Sequence, residues 1–353
     1  MFAYIHIPFC ENKCKYCRFA STWISQKDKI EKYLSKLLFD INNYDKKINR
    51  LESIYFWWWT PSILSLNQLE KIIITLKNKF WFDKNIEITL ETTPNNITES
   101  NLIWWKKLWF NRLSIWVQTL NNQSLLEIWR GNKGDIIDSL ELIKRILFNN
   151  ISLDFIIGLP YVKKWEIKND IEFILDNYNF IKHISVYMLE EYYYPWKWKK
   201  ISINEEDYLW EYIQIKNLLK SRWFNKYEVS NFAKTLYECK HNKAYWNHSE
   251  VLAFWLWAHW FIDWIRYSYP DNFKDYYDWK IIIEDKLQED DIFLEKIMFL
   301  FRTNWLSSDL YLQLNQEKLY YFIDNSYLKI ENNILKLEDK WVLVLDYILS
   351  ELI

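Results

Sequence analysis

Tyr4–Phe19 reads YIHIPFCENKCKYCRF, an apolar strand-like run that breaks at Pro8 and then delivers Cys10, Cys14 and Cys17 with the spacing C-x3-C-x2-C. Three thiolates on one loop at the C-terminal end of a strand can hold three irons of a 4Fe–4S cluster and leave the fourth iron open to another ligand. A zinc ion would need a fourth donor that the loop does not supply. Zinc and unligated thiols stand as the alternatives.

Working outward, short apolar runs alternate with longer amphipathic segments. AYIHI, ESIYF, IEITLE, RLSIWVQ, SLDFIIG and HISVYML read as strands. Between them, helices are expected over 26–48, LNQLEKIIITLKNKF, TESNLIWWKKL (with a Thr98 N-cap and Glu99 in the first turn), 136–147 and 166–177. Six strands separated by helices are parallel strands with right-handed crossovers. They build either an open doubly wound sheet or a complete or partial barrel. Beyond about Met188 the pattern changes to a helix near 205–221, a strand YEVSNFA, and a C-terminal part that ends in a short hairpin and an amphipathic helix.

The chain has 353 residues and a net charge of −2, with pI about 6.3, so it carries no basic footprint for nucleic acid. No signal peptide and no run long enough to span a bilayer is present. The reading is a cytoplasmic protein whose cysteines serve metal or catalysis rather than disulfides. The anomaly is 3 Gly against 23 Trp. Gly usage of roughly 7% predicts about 25 in a chain this long, which is close to Gly and Trp together. A stop codon translated as Trp in some tables, but read as Gly in the source organism, accounts for that sum. A chain truly rich in stacking aromatics is the alternative. Position favours the first: Trp57–Trp59 follow a strand directly, while Trp109 and Trp223 fall between a helix and the next strand, where Gly is the usual choice.

The cysteine loop with its flank YIHIPFC resembles the radical S-adenosylmethionine (SAM) superfamily, and within it the oxygen-independent coproporphyrinogen III oxidase-like family. With Trp read as Gly, WWWTPS becomes GGGTPS, WFNRLSIWVQT becomes GFNRLSIGVQT, EIWRG becomes EIGRG, and LAFWLWAHWF becomes LAFGLGAHGF. The resemblance restores Gly at Trp57, Trp58, Trp59, Trp109, Trp116, Trp129, Trp223, Trp255, Trp257, Trp260, Trp305 and Trp341, and keeps Trp246. It implies an α/β fold, a radical SAM partial (β/α)6 TIM-like barrel with a C-terminal winged-helix-like region. The expected divisions are 1–204 for the barrel, 205–270 for a family-specific linker and 271–353 for the C-terminal domain. It further implies a 4Fe–4S cluster on Cys10, Cys14 and Cys17. SAM contacts carry over to Tyr4, Trp58, Trp59, Thr60, Glu91, Gln118, Arg130 and Asp154.

Two functions occur in that family, radical decarboxylation of coproporphyrinogen III and haem carriage by HemW-type chaperones. The decarboxylases carry a fourth cysteine where this chain has Phe19, and an N-terminal extension that this chain is expected to lack. CKHNKAYWNH, residues 239–248, contains the H-N-x-x-Y-W motif resembling the chaperone signature. His241 is its candidate axial haem ligand, with Cys239 a second contact or a packed thiol. His248 and His259 are weaker candidates, and His6 and His183 read as structural or cofactor-adjacent. The partners implied are haem-acceptor proteins and a one-electron reductant of flavodoxin or ferredoxin type. No nucleic acid and no transmembrane segment are expected, with peripheral membrane contact left open.

Overall fold

The computed structural model describes residues 1–10, 13–17, 22–23, 27–45, 50–57, 60–189, 205–254, 256, 258–270, 272–278, 280–303 and 306–353. Phe19, Trp58, Trp59, Trp255, Trp257 and Trp305 lie outside these residues.

Six parallel strands alternate with five helices. In order they are β1 (Phe2–His6), α1 (Lys27–Asn43), β2 (Ser53–Trp57), α2 (Leu66–Lys79), β3 (Glu87–Thr92), α3 (Glu99–Lys107), β4 (Arg112–Gln118), α4 (Lys133–Ile146), β5 (Ile151–Ile157), α5 (Glu166–Asn177) and β6 (His183–Met188). The strands lie side by side in chain order. An open doubly wound sheet would reverse that order at a switch point, so the sheet is the barrel type. The helix starts are written locally: Ser65 with Gln68 and Asn132 with Asp135 form capping boxes, and Thr98 accepts from Asn101 N as the sequence predicts.

The strand alternation has an unusual sense. Ile54, Phe56, Ile88, Leu90, Leu113, Ile115, Leu153, Phe155, Ile184 and Val186 are buried apolar residues of one strand face, and they pack with the helices in one core. The other face, turned into the lumen, carries Tyr4, Tyr55, Glu91, Arg112, Ser114, Asp154, Ser185 and Tyr187. A polar lumen gives up the usual branched aliphatic filling, which marks it as the place where ligands are handled.

Beyond β6 come α6 (Glu205–Ser221), β7 (Asn231–Ala233), α7 (Lys240–Trp246), β8 (Val251–Phe254), β9 (His259–Ile262), β10 (Ile265–Ser268), β11 (Ile282–Lys286) and α8 (Glu289–Thr303). β8 joins β1 in parallel, and β9, β10 and β11 continue the sheet as antiparallel neighbours. β7 adds antiparallel to β6. The expected strand YEVSNFA therefore narrows to Asn231–Ala233, because Tyr227–Ser230 bend away, with Ser230 N donating to Glu228 Oε1 at 3.2 Å. The sheet also runs across residue 271, since β11 lies beyond it. The rest forms a three-stranded sheet of Leu306–Ser307, Leu328–Glu331 and Ile334–Leu337 with short helices.

Five tryptophans sit in backbone made for glycine. Trp109, Trp129, Trp165, Trp223 and Trp264 have φ between 61° and 70°, a region that bulky L-residues rarely enter. Three of them occupy the same place in a Schellman motif. Phe110 N donates to Trp105 O, Arg130 N to Leu125 O and Phe224 N to Leu219 O. Trp109, Trp129 and Trp223 themselves donate to Lys106, Leu126 and Lys220. That is the C′ position, where Gly is the rule. Asp263–Trp264 form the two-residue turn joining β9 to β10, with positive φ at both. The sequence such a turn wants is Asp-Gly. Trp165 and Trp264 thus join the glycine positions that the motifs suggest.

Candidate functional site

The C-terminal ends of the parallel strands gather around one cavity of about 230 Å³. The cysteine loop after β1 brings Cys10, Cys14 and Cys17 to its wall. β3 brings Glu91, β4 brings Gln118, the turn after a short helix at Asn122–Glu127 brings Arg130, and β5 brings Asp154. Seven of the residues singled out in the sequence therefore line a single space. Thr60 stands beside it, its Oγ1 3.7 Å from Cys10 Sγ. Tyr4 lines the adjoining lumen, where Tyr4 Oη and His6 Nδ1 share a 2.6 Å hydrogen bond. Tyr16, Ile156 and Tyr187 also line the cavity. Sequence reasoning missed them, although Tyr187 falls two residues after Ser185 on β6, in the lumen-facing register.

Polar atoms are left open toward this space. Gln118 is buried, holds φ at 70° and follows a register shift against β5, and its Oε1 has no hydrogen-bond partner. A strained backbone and an unpartnered buried acceptor together are the mark of a binding position. Arg130 leaves Nε unpartnered, and hydrogen-bonds Tyr16. Burial pushes the Cys14 thiol up, while the Arg130 cation pulls it back. That cation favours the thiolate that metal ligation needs. Asp154 accepts from Ser114 at 3.2 Å and from Ser152 at 3.4 Å, and burial raises its carboxyl. Tyr55 donates to Glu91 at 3.2 Å.

His241 is not brought to this site. It is the second residue of α7 and sits with Ser53 and Glu87, residues at the opposite, N-terminal ends of β2 and β3. It has no exposed surface, and packs among Tyr4, Tyr55 and Tyr245 with ring centroids 5.2–6.4 Å away. Nδ1 pairs with Ser53 Oγ at 3.0 Å, and Nε2 has no partner among the described residues. Burial, aided by the Arg112 cation, lowers its pKa to about 3, so the ring is neutral. With the proton on Nδ1, Nε2 keeps a lone pair for a metal. Cys239, beside it, is a buried thiol whose Sγ lies 3.6 Å from Glu87 Oε1, and burial pushes it up to about 12. His259 pairs with Glu284 and His248 with Glu295.

The three thiols are of the kind that holds an iron–sulfur cluster and line one pocket with oxygen and nitrogen donors, and among the described residues they are not gathered into a preformed metal group. SAM is a different matter. Trp57 and Trp116 line the cavity, which is smaller than the roughly 300 Å³ at which small-molecule sites begin. Beside it lies a lumen cavity of about 880 Å³ that shares Trp57, Glu91, Asp154 and Tyr187 as walls. Trp57 is one of four side chains common to both cavities, and Gly there would remove its indole from that shared wall. With the indoles in place the cavity is smaller than a small-molecule site needs.

Residues 4–174 match the radical SAM superfamily. The heme chaperone HemW of Buchnera aphidicola subsp. Schizaphis graminum is 34% identical, over 72% of this chain and 69% of that protein. The chain belongs to the HemW family. HemW of Lactococcus lactis is 31% identical over 75% of this chain and 71% of its own length. HemW of Bacillus subtilis is 32% identical over 78% and 75%. In fold, the coproporphyrinogen III oxidase HemN of Escherichia coli, described as a radical SAM enzyme, matches with a TM-score of 0.80. The match covers 99% of this chain and 89% of that one at 18% identity. The radical SAM fold expected from the cysteine loop is therefore the fold of this HemW-family chain, and the carrier branch has more support than the decarboxylase branch. No helix among the described residues is long and apolar enough to cross a membrane.

Proposed function

We propose that this chain is a cytoplasmic haem carrier that binds a 4Fe–4S cluster, SAM and haem and hands haem to acceptor haem proteins, drawing electrons from a flavodoxin- or ferredoxin-type reductant. The observation that carries the site is the meeting of Cys10, Cys14 and Cys17 with Glu91, Gln118, Arg130 and Asp154 around one cavity. HemW membership supports haem as the cargo.

In this reading Cys10, Cys14 and Cys17 hold the cluster, and Arg130 stabilises their thiolates. When bound, the cluster and SAM supply one-electron chemistry. Gln118 and Glu91 offer acceptors to SAM's donor groups, Asp154 is held in place by its serines, and Thr60 stands beside Cys10. Glycine at 57–59 leaves SAM room, because no Cβ intrudes. His241 offers a neutral imidazole to haem iron once the aromatic cover over it parts.

The test is to incubate the reconstituted glycine-form chain with haem, and separately with coproporphyrinogen III, SAM and a reductant. Binding of about one haem per chain with coproporphyrinogen III unchanged is the expected result. Formation of a vinyl-bearing product would replace the carrier reading with the decarboxylase.

A further inference from the structure

Arg112 is the first residue of β4, and its side chain faces the lumen cavity of about 880 Å³. It is 1% exposed. Its Nε and Nη1 have no hydrogen-bond partner, and it forms no close ion pair among the described residues, while its charge lowers the nearby carboxyls of Glu87 and Asp154. A guanidinium keeps its charge at every physiological pH, so two of its donors stand buried and open beside the cavity.

The surrounding acids are occupied elsewhere. Glu87 accepts from the backbone of Lys240 at 2.9 Å and of His241 at 3.4 Å. Asp154 is held by Ser114 and Ser152, Glu91 by Tyr55, and Glu228 by the Ser230 backbone. Burial raises the carboxyls of Glu87, Asp154 and Glu228, while the Arg112 charge lowers those of Glu87 and Asp154. Above Arg112 the cavity walls include Tyr4, Tyr55, Tyr187 and Tyr245, rings suited to a flat apolar face.

From this we infer that Arg112 is the carboxylate anchor of the lumen, pairing through its planar fork with one carboxylate of a flat aromatic acid. Resting on the carrier reading above, that acid is a propionate-bearing tetrapyrrole. The planar guanidinium matches a carboxylate with two parallel N–H···O bonds. The anchor binds the edge of the macrocycle, so it needs no iron.

The experiment titrates the full chain with haem, metal-free protoporphyrin IX and their dimethyl esters, following absorbance and fluorescence, and repeats this with Arg112→Gln and Arg112→Lys. The free acids are expected to bind about tenfold or more tightly than the esters. Arg112→Gln should erase that preference while leaving ester affinity unchanged, and Arg112→Lys should keep part of it. Equal binding of acid and ester by the unaltered chain overturns the anchor and leaves the carrier reading standing. Equal loss for acid and ester in Arg112→Gln overturns it too, by assigning Arg112 a structural role. Failure to bind any of the porphyrins overturns both. Should Arg112→Gln not fold, the acid-to-ester ratio of the unaltered chain decides.

Discussion

Cys10 Sγ lies 3.7 Å from Thr60 Oγ1, a contact between the loop after β1 and the turn after β2. Neighbouring parallel strands end at one level, so two stretches far apart in sequence become the two sides of one wall. The cysteine loop and the WWWTPS turn are in this sense one feature.

Replacing Cys10, Cys14 or Cys17 by Ala should abolish the cluster, read as loss of bound iron and sulfide and of the visible charge-transfer absorbance. Cys239→Ala should leave iron content unchanged, because Cys239 sits at the far end of the lumen as a protonated thiol. Equal iron loss in Cys239→Ala would contradict this assignment.

Gln118→Ala should lower SAM affinity by about tenfold, the worth of one or two hydrogen bonds in a buried site, with iron content retained. Isothermal titration of the cluster-loaded glycine form measures this. An unchanged affinity would remove Gln118 from the cofactor contacts.

Peptide mass spectrometry of the protein from its natural source should find glycine at 57–59, 109, 129 and 223, and also at 165 and 264, where the motifs were silent. The energetics can be tested separately. Trp223 is 84% exposed with φ at 66°, so Trp223→Gly gives up little packing and relieves about 1–2 kcal/mol of left-handed strain. Urea unfolding should show the midpoint rise, and a lower midpoint would speak against the strain.

Acid should destabilise the fold through its buried imidazoles. His241 is held at about 3, and an unfolded histidine titrates near 6.5. Between these values the unfolded chain binds the extra proton, so the contribution is complete above about pH 6.5 and shrinks as pH falls toward 3. Burial displaces His6 and His183 in the same direction. Thermal melts between pH 7.5 and 4.5 should therefore show a falling Tm, and His241→Phe should flatten that fall. Parallel profiles for the two proteins would exclude the imidazole as a source.

The barrel was legible because both of its signals are local. Strand alternation and helix caps, such as Thr98 with Asn101, act within a few residues, and the cysteine spacing marks one loop. The added sheet strands β9 and β10 were not legible. Their residues HWFI and IRYS follow Phe254 through hidden glycine signals, and Asp263–Trp264 hides an Asp-Gly hairpin. The position of His241 was also beyond reach, since the motif around it says nothing about which end of a lumen a helix will plug. Nothing in RLSIWVQ singles out Arg112, whose unpartnered Nε and Nη1 follow from which donors the nearby acids accept from.

The large sheet forms one continuous ladder, with β11 at one edge. Ile282 and Ile283 are about half exposed there. A chain ending at residue 270, where the sequence suggests a natural cut, would lose β11 from that ladder and leave β10 with an open edge. Open edges recruit other strands. A shortened barrel of this kind should therefore self-associate, so binding studies on this molecule belong with the full chain.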